Sequence, residues 1–437
     1  VLDGDAPPDC CPICGAPADD FETIVEEEEG IGLVESVRSV VVIGAGIAGV
    51  AAVEALRAAA PETEIVLVSK ETELPYFRLN LTRYLAGEIA DSDLLMHPES
   101  WYRERNIQLG LGREITAISL DAHTIRFRDG EERAWDKLIL AAGSHAFVPP
   151  IPGANREAVT ALRTAQDARR ILDTASGASC VTIGGGLLGL ETAGALARQG
   201  RKATLLEGHG WLMPRQLNRR AGEILGSHVR AQGIDLLTGA KTADILGDDR
   251  ARAVELKDGT VLPAELVVMA TGVRPNSYLA RLAGLHVNRG IVVNDNLVTS
   301  HPDVLACGDV AEHRGQVYGV WGPAQFQGSI AGRNAVGGLA EFGGIPRSNT
   351  LKVLGMPMFS IGQIDPTDAS FDVVEEEGDD GYTRFVLCDT YLVGAILLGD
   401  TSLTAAVKKA VEERMDFSDL SKTSPSISGI TAHLRKG

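Results

Sequence analysis

Cysteine is scarce and unevenly placed. Six occur in 437 residues: three cluster at positions 10, 11 and 14, and the others stand alone at 180, 307 and 388. That distribution excludes a disulfide framework. Positive charge is in deficit: 41 Lys and Arg against 59 Asp and Glu give a net charge of −18. Such a chain repels both nucleic-acid phosphate and an anionic membrane surface; the excess acid reads first as general solubility, with steering of a basic partner as the alternative. Long apolar runs are also missing. The most apolar stretch, Tyr391 to Gly399, falls far short of the roughly 20 residues of a membrane-crossing helix. The N-terminus is acidic and lacks the basic flank and apolar core of a signal peptide, so a cytoplasmic protein is expected. With 44% hydrophobic residues the chain can fill sizeable cores, and its length implies two to four domains.

The most informative feature present is an internal repeat. Val40–Ile43 leads into Gly44-Ala45-Gly46-Ile47-Ala48-Gly49 and an Ala-rich helical pattern to Ala60. Cys180–Ile183 leads, 140 positions on, into Gly184-Gly185-Gly186-Leu187-Leu188-Gly189 and a similar pattern to Gln199. A further apolar strand follows each, Ile65–Val68 and Ala203–Leu206. Two such strand–helix–strand units predict an α/β protein with two Rossmann-like dinucleotide-binding domains. Behind each unit lie short strands with an Asp-Gly turn, Asp129-Gly130 and Asp258-Gly259. Alternation over Tyr382–Leu387 and Tyr391–Leu398, then a helical pattern over Leu403–Arg414, predicts a C-terminal α+β domain. The Ser-rich tail after Ser418 reads as loosely held.

Each glycine has a separate task. Gly44 and Gly184 permit the tight turn, Gly46 and Gly186 let backbone approach a pyrophosphate, and Gly49 and Gly189 let helix pack on strand. The helix N-terminus then offers unpaired N–H groups and the positive end of its dipole to the phosphates. Glu207, twenty-three positions after Gly184, closes the second strand of its unit. A carboxylate there accepts from a ribose 2′-OH and repels a 2′-phosphate, which favours NADH over NADPH. The equivalent position in the first unit is Ser69, which can bond a ribose, with Glu71 within reach.

Further motifs follow in order: Pro75-Tyr76-Phe77-Arg78-Leu79-Asn80-Leu81-Thr82-Arg83, Leu138 to Gly143, Met269 to Asn276, Val304 to Asp309, and Trp321 with Ala324, Gln327 and Gly328. This series over about residues 38–415 resembles the FAD-dependent pyridine nucleotide oxidoreductases. Within them it is most similar to NADH:rubredoxin reductases and the FAD/NAD portion of assimilatory nitrite reductases. The resemblance implies FAD at the first glycine turn and NADH at the second. It puts Arg78 beside the isoalloxazine, with Arg83 standing where the family has a Lys. It puts Ala142, Gly143 and Gly272 on the connecting strands near the cofactors, and Asp309 on the ribityl chain, a role that suits an ionised acceptor. Trp321 would lie at the flavin edge and Glu191 at the nicotinamide, so Glu191, Arg83 and Trp321 are the expected catalytic residues.

The implied domain plan is residues 36–152 with 276–338 for FAD, 153–275 for NAD, and 339–437 as an interface domain. The implied activity passes electrons from NADH through FAD to a small redox protein of rubredoxin or ferredoxin type. The chain would act as a homodimer or as a subunit of a larger redox complex. An NADH oxidase and an FAD-holding subunit of an electron-transfer complex are the alternatives. No cysteine pair follows the first unit, and Asn80 falls near the position where NADH oxidases keep a sulfenate cysteine, so disulfide and sulfenate chemistry are not expected. Residues 1–30 differ in kind: Cys11-Pro12-Ile13-Cys14-Gly15 resembles the second knuckle of a rubredoxin iron site, with an acidic linker behind it. Cys11 and Cys14 would bind iron, or zinc, but such a centre needs four sulfurs, and the first knuckle is expected upstream of Val1.

Overall fold

The computed structural model describes residues 37–174, 177–345, 348–378, 381–421 and 425–435. Cys11 and Cys14 lie outside the described residues.

The repeat seen in the sequence becomes two parallel sheets of the same construction. In the first, five strands lie in the order Val304–Ala306, Lys137–Leu140, Ser39–Ile43, Glu64–Val68, Ile107–Gly110. All are parallel, so the C-terminal ends of the strands share one edge. In the second, the order is Asp235–Thr238, Lys202–Glu207, Ser179–Ile183, Leu266–Met269, Val159–Ala161, again parallel throughout. Strands buried on both faces read as nearly unbroken apolar runs, and Val40–Ile43 and Val181–Ile183, Thr182 included, are buried throughout. Ligands of such sheets sit beyond the C-terminal strand ends, where the chain reverses its direction of travel across the sheet.

The Asp-Gly turns fall where read. Gly130 and Gly259 both have left-handed φ, +88° and +87°, and each sits in a three-stranded antiparallel sheet. Two short strands, Ser144–Ala146 and Val273–Pro275, pair antiparallel and join the two halves. The C-terminal part is a five-stranded antiparallel sheet carrying helices Thr404–Glu412 and Ile427–Leu434. Here the structure departs from the sequence reading: residues 427–434 are not loosely held. Ser426 caps the last helix by accepting from the Gly429 N–H, and Ile430 and Leu434 are buried in the sheet's core. The four-residue spacing of those two apolar side chains supplies the docking face. Among the described residues, no helix is long and apolar enough to cross a membrane.

Candidate dinucleotide and redox site

The two glycine turns share one backbone geometry. Gly44 has φ +110°, and a Cβ there would lie 2.2 Å from the Ala141 carbonyl oxygen; Gly184 has φ +117° and the Ala270 oxygen at 2.4 Å. Each donates its N–H to the next strand, Gly44 to Val68 O and Gly184 to Leu206 O, both at 2.8 Å. A Cβ on Gly49 or Gly189 would strike the carbonyl of the turn's first glycine at 1.8 Å. At Gly46 and Gly186, by contrast, a Cβ meets nothing within 4 Å. These two glycines therefore face open space. Each caps a helix, Ile47–Ala59 or Leu187–Arg198, with no side-chain cap and no acid in the first turn. The helix ends present bare N–H donors to that space, which is the chemistry of a pyrophosphate cradle.

At the far end of the second cradle, Glu207 is buried and takes two backbone donors: Gly185 N–H on Oε2 at 2.9 Å and His209 N–H on Oε1 at 2.7 Å. It braces the glycine turn through those two bonds. At the first cradle, Ser69 is near-buried and its hydroxyl accepts from the Glu71 N–H at 3.1 Å. The Glu71 side chain turns elsewhere. Its carboxylate takes Arg78 and the Tyr76 hydroxyl, the latter at 2.7 Å. Burial alone would raise the Glu71 carboxyl, but Arg78 and Tyr76 outweigh it and hold it below its ordinary value. Glu71 thus fixes Arg78, the residue the sequence places beside the flavin.

Arg78 continues the network by donating to the Arg163 carbonyl at 2.9 Å. Arg163 bonds the Ser144 hydroxyl at 2.9 Å and Asp309 Oδ2 at 3.0 Å, and Ser144 donates to the same oxygen at 2.8 Å. Both bonds on Asp309 fall on Oδ2. Sequence reasoning missed Arg163. It precedes Thr164, the cap of helix Ala165–Leu172, and nothing local marks its side chain as reaching across to Asp309. Gly143, φ +64°, lies against Arg163, and its carbonyl accepts from Asn276 at 2.9 Å; Asn276 also bonds the Ala142 carbonyl at 2.7 Å. Gly272, φ +105°, has open space at its Cβ and takes the Phe147 N–H on its carbonyl.

Trp321 opens helix Trp321–Asn334 and packs on Phe77, ring centroids 5.6 Å apart, so the expected flavin-edge residue joins the Arg78 segment. Gln327 on that helix is buried; its Oε1 takes the Gly308 N–H at 2.8 Å, while Nε2 has no partner. Asn80 is likewise buried with Oδ1 unpartnered. These two orphaned amide groups, one on the Arg78 segment and one on the Trp321 helix, are polar capacity that no protein atom uses. Arg83 pairs with Glu88 at 3.4 Å, and Glu88 also meets Arg198 at 3.4 Å. Arg83 thereby ties helix Leu81–Leu85 toward the second-unit helix. Glu191 Oε1 accepts from the Leu354 N–H at 2.8 Å, and burial pushes its carboxyl above the ordinary value. Of the described cysteines, Cys307 and Cys180 are buried, their thiols pushed up to about 12 and about 11 by burial. Neither is a ready thiolate.

Residues 38–328 match the family model described as pyridine nucleotide-disulphide oxidoreductase, and residues 348–415 that of the rubredoxin NAD+ reductase C-terminal domain. The chain is 36% identical over 391 residues to a nitrite reductase (NAD(P)H) of Bacillus subtilis, covering 89% of this chain and 49% of that protein. It is 31% identical over 383 residues to an NADH-rubredoxin oxidoreductase of Clostridium acetobutylicum, covering 87% and 96%. Among solved structures, NADH:rubredoxin oxidoreductase from Clostridium acetobutylicum superposes with a TM-score of 0.77 at 29% identity, covering 91% of this chain and all of that one. Putidaredoxin reductase, solved in covalent complex with putidaredoxin, superposes with a TM-score of 0.78 at 26% identity, covering 87% and 94%. The chain spans only 31–49% of the nitrite and nitrate reductase relatives it matches.

Proposed function

The chain belongs to the pyridine nucleotide-disulphide oxidoreductase family, and we propose that it oxidises NADH through bound FAD and delivers the electrons to a small iron–sulfur or rubredoxin-type protein. The observation that carries this reading is the pair of equivalent cradles, each with an open glycine at a bare helix N-terminus. FAD, when bound, accepts a hydride's two electrons and can release them singly. The residues present fit it: the Gly46 space takes the pyrophosphate, Asp309 a ribityl hydroxyl, and Asn80 and Gln327 the polar edge of the ring. Arg78, held by Glu71, would supply fixed positive charge to the ring. With no cysteine pair after the first unit, and Asn80 near the position where NADH oxidases keep a sulfenate cysteine, the chain has no thiol there to relay electrons, which favours direct delivery to an external carrier.

The decisive experiment is anaerobic addition of NADH to the yellow protein, then titration with rubredoxin and ferredoxin. Bleaching by NADH, then recovery of the flavin absorbance on adding either carrier, is expected. Oxygen uptake matching NADH consumption without a carrier would instead mark an oxidase. Flavin that NADH does not bleach would mark an FAD-holding subunit.

Glu207 supplies a second check. Because its two oxygens brace Gly185 and His209 as well as facing the ribose position, Glu207→Gln replaces an acceptor with an N–H₂ group against a backbone donor. We expect the KM for NADH to rise about tenfold and the NADPH-to-NADH ratio of kcat/KM to increase. An unchanged ratio would take Glu207 away from the ribose.

A further inference from the structure

The C-terminal sheet shares a hydrophobic core with the NAD-side half, including Leu190 and Ala193 of helix Leu187–Arg198, and at Leu354 it also bonds that helix. Strands Ser348–Val353 and Met356–Gly362 are joined by a tight turn at Leu354 and Gly355, with φ +47° and +88°. Every part of Leu354 is engaged by the NAD-side half. Its N–H donates to Glu191 Oε1 at 2.8 Å. Its carbonyl accepts from His228 Nε2 at 2.9 Å. Its side chain is buried against Gly194, where a Cβ would lie 2.1 Å from Leu354 Cδ2. Glu191 and Gly194 are three apart on helix Leu187–Arg198 and so share a face. The seat for the side chain and the acceptor for the N–H are thus built side by side.

We propose that Leu354 is a positioning residue for NADH: the C-terminal hairpin, seated on Gly194, fixes the Glu191 carboxylate in the orientation that meets the nicotinamide. This rests on the reading that Glu191 faces the nicotinamide. The physical case is that a half-buried carboxylate on a long side chain needs a donor to hold one rotamer and stay ionised. A main-chain N–H in a tight turn is a rigid donor. Because the bond falls on Oε1 alone, the second oxygen is left to a ligand. The C-terminal sheet is therefore part of the nicotinamide site through one backbone group, held in a two-residue hairpin turn whose geometry sets the left-handed φ of Leu354 and Gly355.

The test is a bump and its relief. Gly194→Val should displace Leu354, raise the KM for NADH about tenfold through loss of one charge-assisted hydrogen bond, and leave kcat at saturating NADH within about twofold. Leu354→Ala on the same background vacates the seat, lets the N–H return to Glu191, and should restore the KM. A KM that Gly194→Val does not change, or that Leu354→Ala does not restore, overturns the proposal. If Gly194→Val loses its flavin, Gly194→Ala overlaps the same methyl carbon and carries the same two outcomes. Glu191→Ala separates the premise from the inference. No effect on the NADH KM removes Glu191 from the nicotinamide; an effect there with none from Gly194→Val removes only Leu354.

Discussion

Gly46→Val should give a folded but colourless protein. At this position φ is −80° and ψ −175°, extended backbone that a β-branched residue adopts without strain. A Cβ meets no atom within 4 Å, so nothing in the protein resists the change. The added methyls project into the open space proposed for the FAD pyrophosphate. We expect FAD affinity to fall at least about a hundredfold, equivalent to some 2.7 kcal/mol, with circular dichroism of the apoprotein unchanged. Gly186→Val applies the same change to the other cradle. It should leave the protein yellow and abolish bleaching by NADH at concentrations that saturate the parent. Gly44→Ala is the contrast: its Cβ would overlap the Ala141 carbonyl at a φ of +110°, so the fold itself should suffer. A yellow Gly46→Val protein with one flavin per chain would mean that FAD does not lie on this turn.

That contrast also shows what the sequence can reveal. A glycine needed for a positive φ or a close approach is needed wherever the chain makes that turn, so Gly44, Gly49, Gly184 and Gly189 could be assigned tasks from spacing alone. The parallel sheets were legible for a similar reason, because strands buried on both faces show no alternation. Side-chain partners across the fold were not legible. Glu71 stands two positions past Ser69 and reads as a ribose contact, yet it turns to Arg78 and Tyr76 because burial demands a counter-ion. Arg163 reaches Asp309 from 146 positions away, and Leu354 reaches Glu191 from 163. No local pattern encodes either pair. Leu354 is the harder case, since the group that matters is a backbone N–H, which every residue but proline carries.

The largest effect on stability is expected at the crossing of helices Ile47–Ala59 and Trp321–Asn334. Gly328 and Gly332 are four apart on one face, and a Cβ on either would lie 2.2 Å from a backbone carbonyl of the opposite helix, Ala48 O or Ala52 O. Backbone cannot yield as a side-chain end can, so the helices would have to separate. Gly332→Val should cost about 3 kcal/mol or more, the upper range for overpacking a close-packed core, and lower the melting temperature by several degrees. The crossing also holds the site together. Ala48 lies in the first turn of the cradle helix, and Gly308 packs on it while donating to Gln327, one residue before Asp309. Gly328→Val lies one turn nearer to that junction than Gly332→Val. For equal loss of stability it should therefore lose more FAD affinity, read as flavin fluorescence released on dilution. Added FAD should recover part of the melting temperature of Gly332→Val by mass action and little of that of Gly328→Val. Equal recovery in the two variants would show that the crossing supports the fold without shaping the cradle.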